Sequence, residues 1–127
     1  MQVERLDHLV LTVADLAATI AFYESVMGMR AITFAGSRKA LRFGNSKINL
    51  HPAAAPLAPH ARQPQPGSAD LCFIVATPIN EVIAHLNRCG VVIEAGPGPR
   101  SGALGAITSV YFRDPDGNLI EVSRYED

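Results

Sequence analysis

The chain of 127 residues has no tryptophan, only two cysteines and almost no net charge, and each scarcity closes off a class of protein. Cys72 and Cys89 are too few for a disulfide framework, so both read as free thiols of a reducing compartment. Neither stands beside a plausible base in sequence. Eleven Lys and Arg oppose 12 Asp and Glu along the chain for a net charge of -1, so there is no basic field to hold phosphates non-specifically, and no nucleic acid is expected as a partner. No run approaches the roughly 18 apolar residues of a membrane span. Glu4, Arg5 and Asp7 interrupt the N-terminus where a secretory signal needs an apolar core, so a cytoplasmic chain away from the membrane is expected. The length fits one domain and excludes two large ones.

What the chain does have is an internal repeat. A shift of 62 positions lays His8-Leu9-Val10-Leu11-Thr12-Val13-Ala14 over Asp70-Leu71-Cys72-Phe73-Ile74-Val75-Ala76, and Gly28 over Gly90. Near the ends of the copies the shift grows to 72, with Ile48-Asn49-Leu50 over Ile120-Glu121-Val122. Most of the ten additional residues fall in the run Gly96 to Gly105 and in the turn Asp114-Pro115-Asp116-Gly117.

Each copy reads as strand, helix, then three strands. Residues 7–13 alternate as a half-buried strand does. Asp15 suits an N-cap for a helix whose Leu16, Ile20, Tyr23 and Met27 recur at helical spacing until Gly28. In the second copy Thr77 suits the cap, Pro78 the first helical position, and Val82, Ile83 and Leu86 the buried stripe that Gly90 ends. Strands follow at about 30–35, 39–44 and 46–51, and again at about 91–95, 107–113 and 118–123. Gly96 to Gly105 reads as a mobile rim. Between the copies Pro52, Pro56, Pro59, Pro64 and Pro66 interrupt any periodicity. The expected fold is α+β: a single domain of two tandem βαβββ modules, about 1–52 and 68–127 around a connector 53–67.

Strand parity sorts the side chains. Leu9, Leu11, Val13, Ile48, Leu50, Leu41, Phe43, Leu71, Phe73, Val75, Val110, Phe112, Ile120 and Val122 make apolar faces that want helices. The opposite faces collect His8, Arg42, Asn49, His51, Asp70, Tyr111, Arg113 and Glu121 among aliphatics such as Val10, Ile74 and Leu119. A solvated sheet face is the plain alternative for such a mixture.

The segments Asp7 to Val13, Ala21-Phe22-Tyr23 through Met27-Gly28-Met29, and Arg113-Asp114-Pro115-Asp116-Gly117-Asn118-Leu119-Ile120-Glu121 together resemble the vicinal oxygen chelate superfamily of glyoxalases, bleomycin-resistance proteins and extradiol dioxygenases. Arg38 to Leu41, Ile48 to Pro52, Pro66 to Leu71 and Pro99 to Ala103 resemble its glyoxalase domain-containing protein 5 branch, which includes bacterial virulence proteins. The resemblance implies paired modules whose sheets form an open barrel-like cup, frequent homodimers and a divalent metal that chelates vicinal oxygens of a substrate. The family's ligand positions fall on His8, Asn49, Asp70 and Glu121. Glyoxalase I has a glutamate where Asn49 stands and a histidine where Asp70 stands, so its proton chemistry is not expected here.

A set of His8, Asp70 and Glu121 carries two negative charges and favours hard ions such as Mg²⁺ or Mn²⁺ over zinc, with iron and nickel also open. His51, on the strand face of Asn49, is a substitute ligand, while His60 and His85 read as surface residues. Glu121 is the candidate proton carrier, and Arg42, Arg100, Tyr111 and Arg113 are candidates for binding substrate. Two functions follow: a metalloenzyme for a polar small molecule (lyase or isomerase, dioxygenase or thiol transferase), or a metal-free dimer that sequesters a ligand.

Overall fold

The structure, a computed structural model, describes residues 1–126. Ten elements follow in order: β1 (His8–Val13), α1 (Leu16–Ser25), β2 (Arg30–Phe34), β3 (Arg38–Phe43), β4 (Ser46–Pro52), β5 (Asp70–Ile74), α2 (Ile79–Arg88), β6 (Ala95–Gly102), β7 (Gly105–Arg113) and β8 (Leu119–Tyr125). They divide into two compact units, one from Met1 to Gly67 and one from Ser68 onward.

Each unit is a βαβββ module with the same wiring, as the repeat implies. In the first, strands lie in the order β1-β4-β3-β2; in the second, β5-β8-β7-β6. The first and last strands of each module pair in parallel and the other pairs are antiparallel. Both sheets are mixed and neither closes on itself.

In the first unit, α1 starts where Asp15 accepts a 3.0 Å hydrogen bond from the amide of Ala18, satisfying one orphan donor of the first turn. It packs on β2 and β4. Tyr23 is fully buried beside Val26 and Met29, and the apolar parity positions Leu11, Val13, Leu41, Ile48 and Leu50 are buried as well. In the second unit α2 packs on β7, Val82 and Leu86 are its buried stripe, and Val110, Phe112, Ile120 and Val122 form the core.

Two expectations need correction. Pro78 is the residue before α2, with extended ψ of 141°, and no side chain caps that end; Thr77 therefore does not cap. The strand expected at 91–95 instead runs from Ala95 to Gly102, so the glycine- and proline-rich stretch is a strand and not a rim loop. β6 lies at the sheet edge with β7 as its one neighbour, and an edge strand tolerates Pro97 and Pro99, whose missing N–H groups a central strand could not spare. The register shifts between Ala95 and Gly98.

At Gly96, φ is +90° and an added Cβ would overlap the carbonyl oxygen of Ser109 and lie 3.1 Å from the Cα of Val110. Gly96→Ala is therefore expected to cost about 2–4 kcal/mol, from left-handed strain plus the overlap. Urea unfolding measures it, and a loss below about 0.5 kcal/mol contradicts this packing.

Candidate functional site

The polar faces foreseen by parity exist in both sheets, and the register gives them rows. In the first unit Val10, Asn49 and Ala40 are neighbours across β1, β4 and β3, while His8, Lys47 and Arg42 form the adjacent row. His8 and Asn49 are thus one row apart on one face. In the second unit Asp70 lies opposite Leu119, and Glu121 lies opposite Cys72 on one side and Tyr111 on the other. Asp70 and Glu121 repeat the same diagonal. The duplication has copied a geometry, first-strand residue to last-strand residue, and not merely a sequence pattern.

His8 is exposed, and its Nδ1 lies 2.7 Å from Oδ1 of Asp7. A carboxylate only accepts, so Nδ1 carries a proton, and in the neutral ring Nε2 has the lone pair. The hydrogen bond from His8 in turn holds the Asp7 carboxyl below its ordinary range, with Arg5 and Lys47 adding to it. Asn49 is buried and its Oδ1 has no hydrogen-bond partner. Buried amide oxygens are nearly always satisfied, so this one awaits a donor or a cation.

Glu121, half-buried, accepts a 2.7 Å hydrogen bond from Ser109 Oγ at Oε2, and Ser123 Oγ lies 3.3 Å from the same oxygen. Ser109 and Ser123 are themselves 2.6 Å apart, and Ser123 Oγ lies 3.3 Å from the sulfur of Cys72. Burial pushes the Cys72 thiol up, against the Ser123 hydrogen bond, and the charge of Glu121 adds to the rise. Asp70 is exposed at the start of β5.

The other candidates divide. Arg113 is tied to Glu94 by two hydrogen bonds of 3.0 and 2.9 Å and donates to the Gly117 carbonyl at 3.1 Å, which makes it a clamp on its own loop. Arg100 donates to the Tyr111 hydroxyl at 3.1 Å and lies 5.3 Å from that ring. Arg42 is exposed on β3 between Lys47 and Arg30. His51 is buried, and its Nε2 is 3.5 Å from an Arg38 nitrogen. Burial, then Arg38 and His60, press the His51 imidazole below its ordinary range. His60 bonds the Ala61 carbonyl, and His85 has its Nε2 3.6 Å from the sulfur of Cys89, one turn along α2. Both cysteines therefore have an acid or base nearby after all: Glu121 by cross-strand register, His85 by helical spacing.

Sequence reasoning passed over Arg38, Asp7, Ser109 and Ser123. By strand alternation Ser109 and Ser123 stand on the face of Glu121, and Arg38 stands four residues before Arg42 on β3. The partnerships themselves depend on register.

Among the described residues no three His, Cys, Asp or Glu side chains gather into a metal-holding group. The resemblance implies a divalent ion at the positions of His8, Asn49, Asp70 and Glu121. The donor chemistry fits such an ion: a histidine presenting Nε2 with its other nitrogen fixed by a carboxylate, an unsatisfied buried amide oxygen, and a glutamate steadied by serine hydroxyls are the supports metal ligands need.

The family model for the Glyoxalase/Bleomycin resistance protein/Dioxygenase superfamily matches residues 5–122. The Virulence protein STM3117 of Salmonella typhimurium is 56% identical over 125 residues, 98% of this chain and 87% of that protein. Its crystal structure superposes with a TM-score of 0.98, covering 99% of this chain and 100% of that one. The Glyoxalase domain-containing protein RDO1 of Mycosarcoma maydis is 48% identical, over 100% of this chain and 72% of its own length. TnmS3, an antibiotic binding protein from Streptomyces sp. CB03234, shares the fold at 19% identity, with a TM-score of 0.77 over 99% of each chain. Among the described residues no helix is long and apolar enough to cross a membrane.

Proposed function

The chain belongs to the glyoxalase/bleomycin resistance/dioxygenase superfamily, and from that premise we propose that it is a metal-dependent enzyme acting on a polar, oxygen-rich small molecule. It works as a cytoplasmic homodimer, where both thiols stay reduced. The observation that carries the reading is the repeated diagonal, in which His8 with Asn49 and Asp70 with Glu121 hold corresponding places on their sheets.

One nitrogen and three oxygens, two of them on carboxylates, would hold a hard divalent ion such as Mn²⁺ or Mg²⁺. When bound, the ion supplies Lewis-acid polarisation of vicinal oxygens. The chain's own part is otherwise positional. Asp7 fixes the His8 ring, and Ser109 and Ser123 fix the Glu121 carboxylate, which carries a proton between substrate atoms. Glyoxalase I chemistry uses a second carboxylate where Asn49 stands, and an amide cannot take that proton.

Calorimetric titration of Mn²⁺ and Zn²⁺ into the chelator-treated protein tests this. Saturable binding that favours Mn²⁺ and is lost in His8→Ala is expected. Tight Zn²⁺ binding that survives His8→Ala contradicts it. The replacement of the glutamate by Asn49 favours a second reading, a metal-free sequestering dimer like an antibiotic binding protein; absence of binding by either metal selects that reading.

A further inference from the structure

One guanidinium of the second unit is fixed to its sheet and left without a counter-charge. The register sets Ile107, Ser109, Tyr111 and Arg113 of β7 on the face of Glu121, and it sets Gly98 opposite Ser109 and Arg100 opposite Ile107, so β6 adds both to that face. Arg113 is closed by Glu94, whereas the exposed Arg100 has no carboxylate partner among the described residues.

An exposed arginine is ordinarily a loose chain in water, but Arg100 is held. Gly98 offers no side chain, and a Cβ added there would lie 3.7 Å from Nη1 of Arg100, so the guanidinium lies against bare backbone of its own strand. From there Nε donates to the Tyr111 hydroxyl at 3.1 Å, Nη1 donates to the Pro99 carbonyl at 2.8 Å, and the guanidinium carbon is 5.3 Å from the centre of the Tyr111 ring. These bonds leave other protons over. Those of Nη2 have no protein acceptor among the described residues, and the Tyr111 oxygen, which accepts from Nε, keeps its own O–H to donate. Nε and Nη2 share one carbon, so the two remaining donors are close neighbours, and both are reached from solvent without rearrangement. Across the strands Tyr111 is the neighbour of Glu121. An oxyanion seated on Arg100 and Tyr111 is therefore kept off the Glu121 carboxylate, while the rest of its molecule can pass the tyrosine to reach it.

We infer that Arg100 and the Tyr111 hydroxyl bind an oxyanion of the substrate, a carboxylate or a phosphate, so that the substrate is an acid whose charged end is separate from the end that meets Glu121. Arg100 selects the substrate and Gly98 makes room for it to do so. The inference deepens the proposed function and rests on it for calling the bound acid the substrate.

Nuclear magnetic resonance titration of the isotope-labelled, chelator-treated protein tests it, with succinate and separately with inorganic phosphate at an ionic strength held constant by sodium chloride. One or both anions should move the amide resonances of Gly98, Arg100 and Tyr111 saturably, with affinity about tenfold or more lower in Arg100→Gln, the size of a lost charge-assisted hydrogen bond, and about fivefold lower in Tyr111→Phe. Arg100→Lys keeps the charge but cannot fork between Tyr111, Pro99 and the anion, and should fall between the wild type and Arg100→Gln. Tighter succinate identifies a carboxylate, tighter phosphate a phosphate. Should circular dichroism find Arg100→Gln unfolded, Arg100→Lys and Tyr111→Phe carry the comparison. Resonances that neither anion moves, or affinities that these variants leave unchanged, overturn the inference. The Mn²⁺ calorimetry run on the same preparations keeps the two readings apart: anion binding that depends on Arg100 in a protein that takes up no metal defeats the metalloenzyme reading and leaves this site standing, whereas metal binding lost in His8→Ala, with anion binding indifferent to Arg100→Gln, does the reverse.

Discussion

Phe112→Ala is expected to destabilise the protein by about 3–5 kcal/mol, lowering the melting midpoint by about 10–20 °C. Phe112 is wholly buried on β7, opposite Ile120 of β8 and on the same apolar face as Val110. Truncation removes the ring's burial and leaves a cavity in a sheet whose neighbouring strands hold each other rigidly in register, so little relaxation can fill it. A domain of this size has a total stability of about 5–15 kcal/mol, so the loss is a large share. Leu104, 89% exposed in the turn between β6 and β7, is the control: its alanine variant should stay within about 0.5 kcal/mol. Thermal denaturation followed by circular dichroism measures both, and equal effects would contradict the assigned core.

The second large effect belongs to Glu121→Gln, which should lower affinity for a divalent metal by more than about 100-fold while leaving the fold intact. The exchange keeps the shape and removes the charge. Gln Oε can still accept from Ser109, so the packing of β7 on β8 is preserved. Ser109→Ala leaves the carboxylate but removes its nearest support, and its cost should be smaller, about tenfold. Ser109 is buried at 1% exposure, so the thermal midpoint of that variant separates lost support from lost folding. Metal titration of the three proteins reads the order; equal affinity in wild type and Glu121→Gln would remove Glu121 from the site.

The fold was legible because the duplication repeats hydrophobic parity and helix punctuation. Both depend on local spacing alone: Asp15 caps α1, Gly28 and Gly90 take positive φ of 66° and 72° after their helices, and alternate residues of β4 and β8 fall on opposite faces. The strand β6 was not legible, because its sequence, Ala95-Gly96-Pro97-Gly98-Pro99, carries the composition of a turn. Only its place at a sheet edge makes it a strand, and edge position is a property of tertiary pairing. Pro78 likewise slipped by one position at the boundary of α2, where caps are hardest to place.

For the site, the residue types at His8, Asn49, Asp70 and Glu121 could be read, since the motifs flanking them carry the resemblance. Their supports could not. Glu94 holds Arg113 across 19 residues, Ser109 holds Glu121 across 12, and Arg38 meets His51 across 13, distances along the chain that only register converts into contact. The pairing of Cys72 with Glu121 across parallel strands was invisible for the same reason.

The central claim, that the protein is a metal-dependent enzyme using His8 and Glu121, is tested most directly by elemental analysis of protein purified without chelator. The account predicts a stoichiometric divalent metal in the wild type and its loss in both His8→Ala and Glu121→Gln. Metal retained in full by either variant would contradict it.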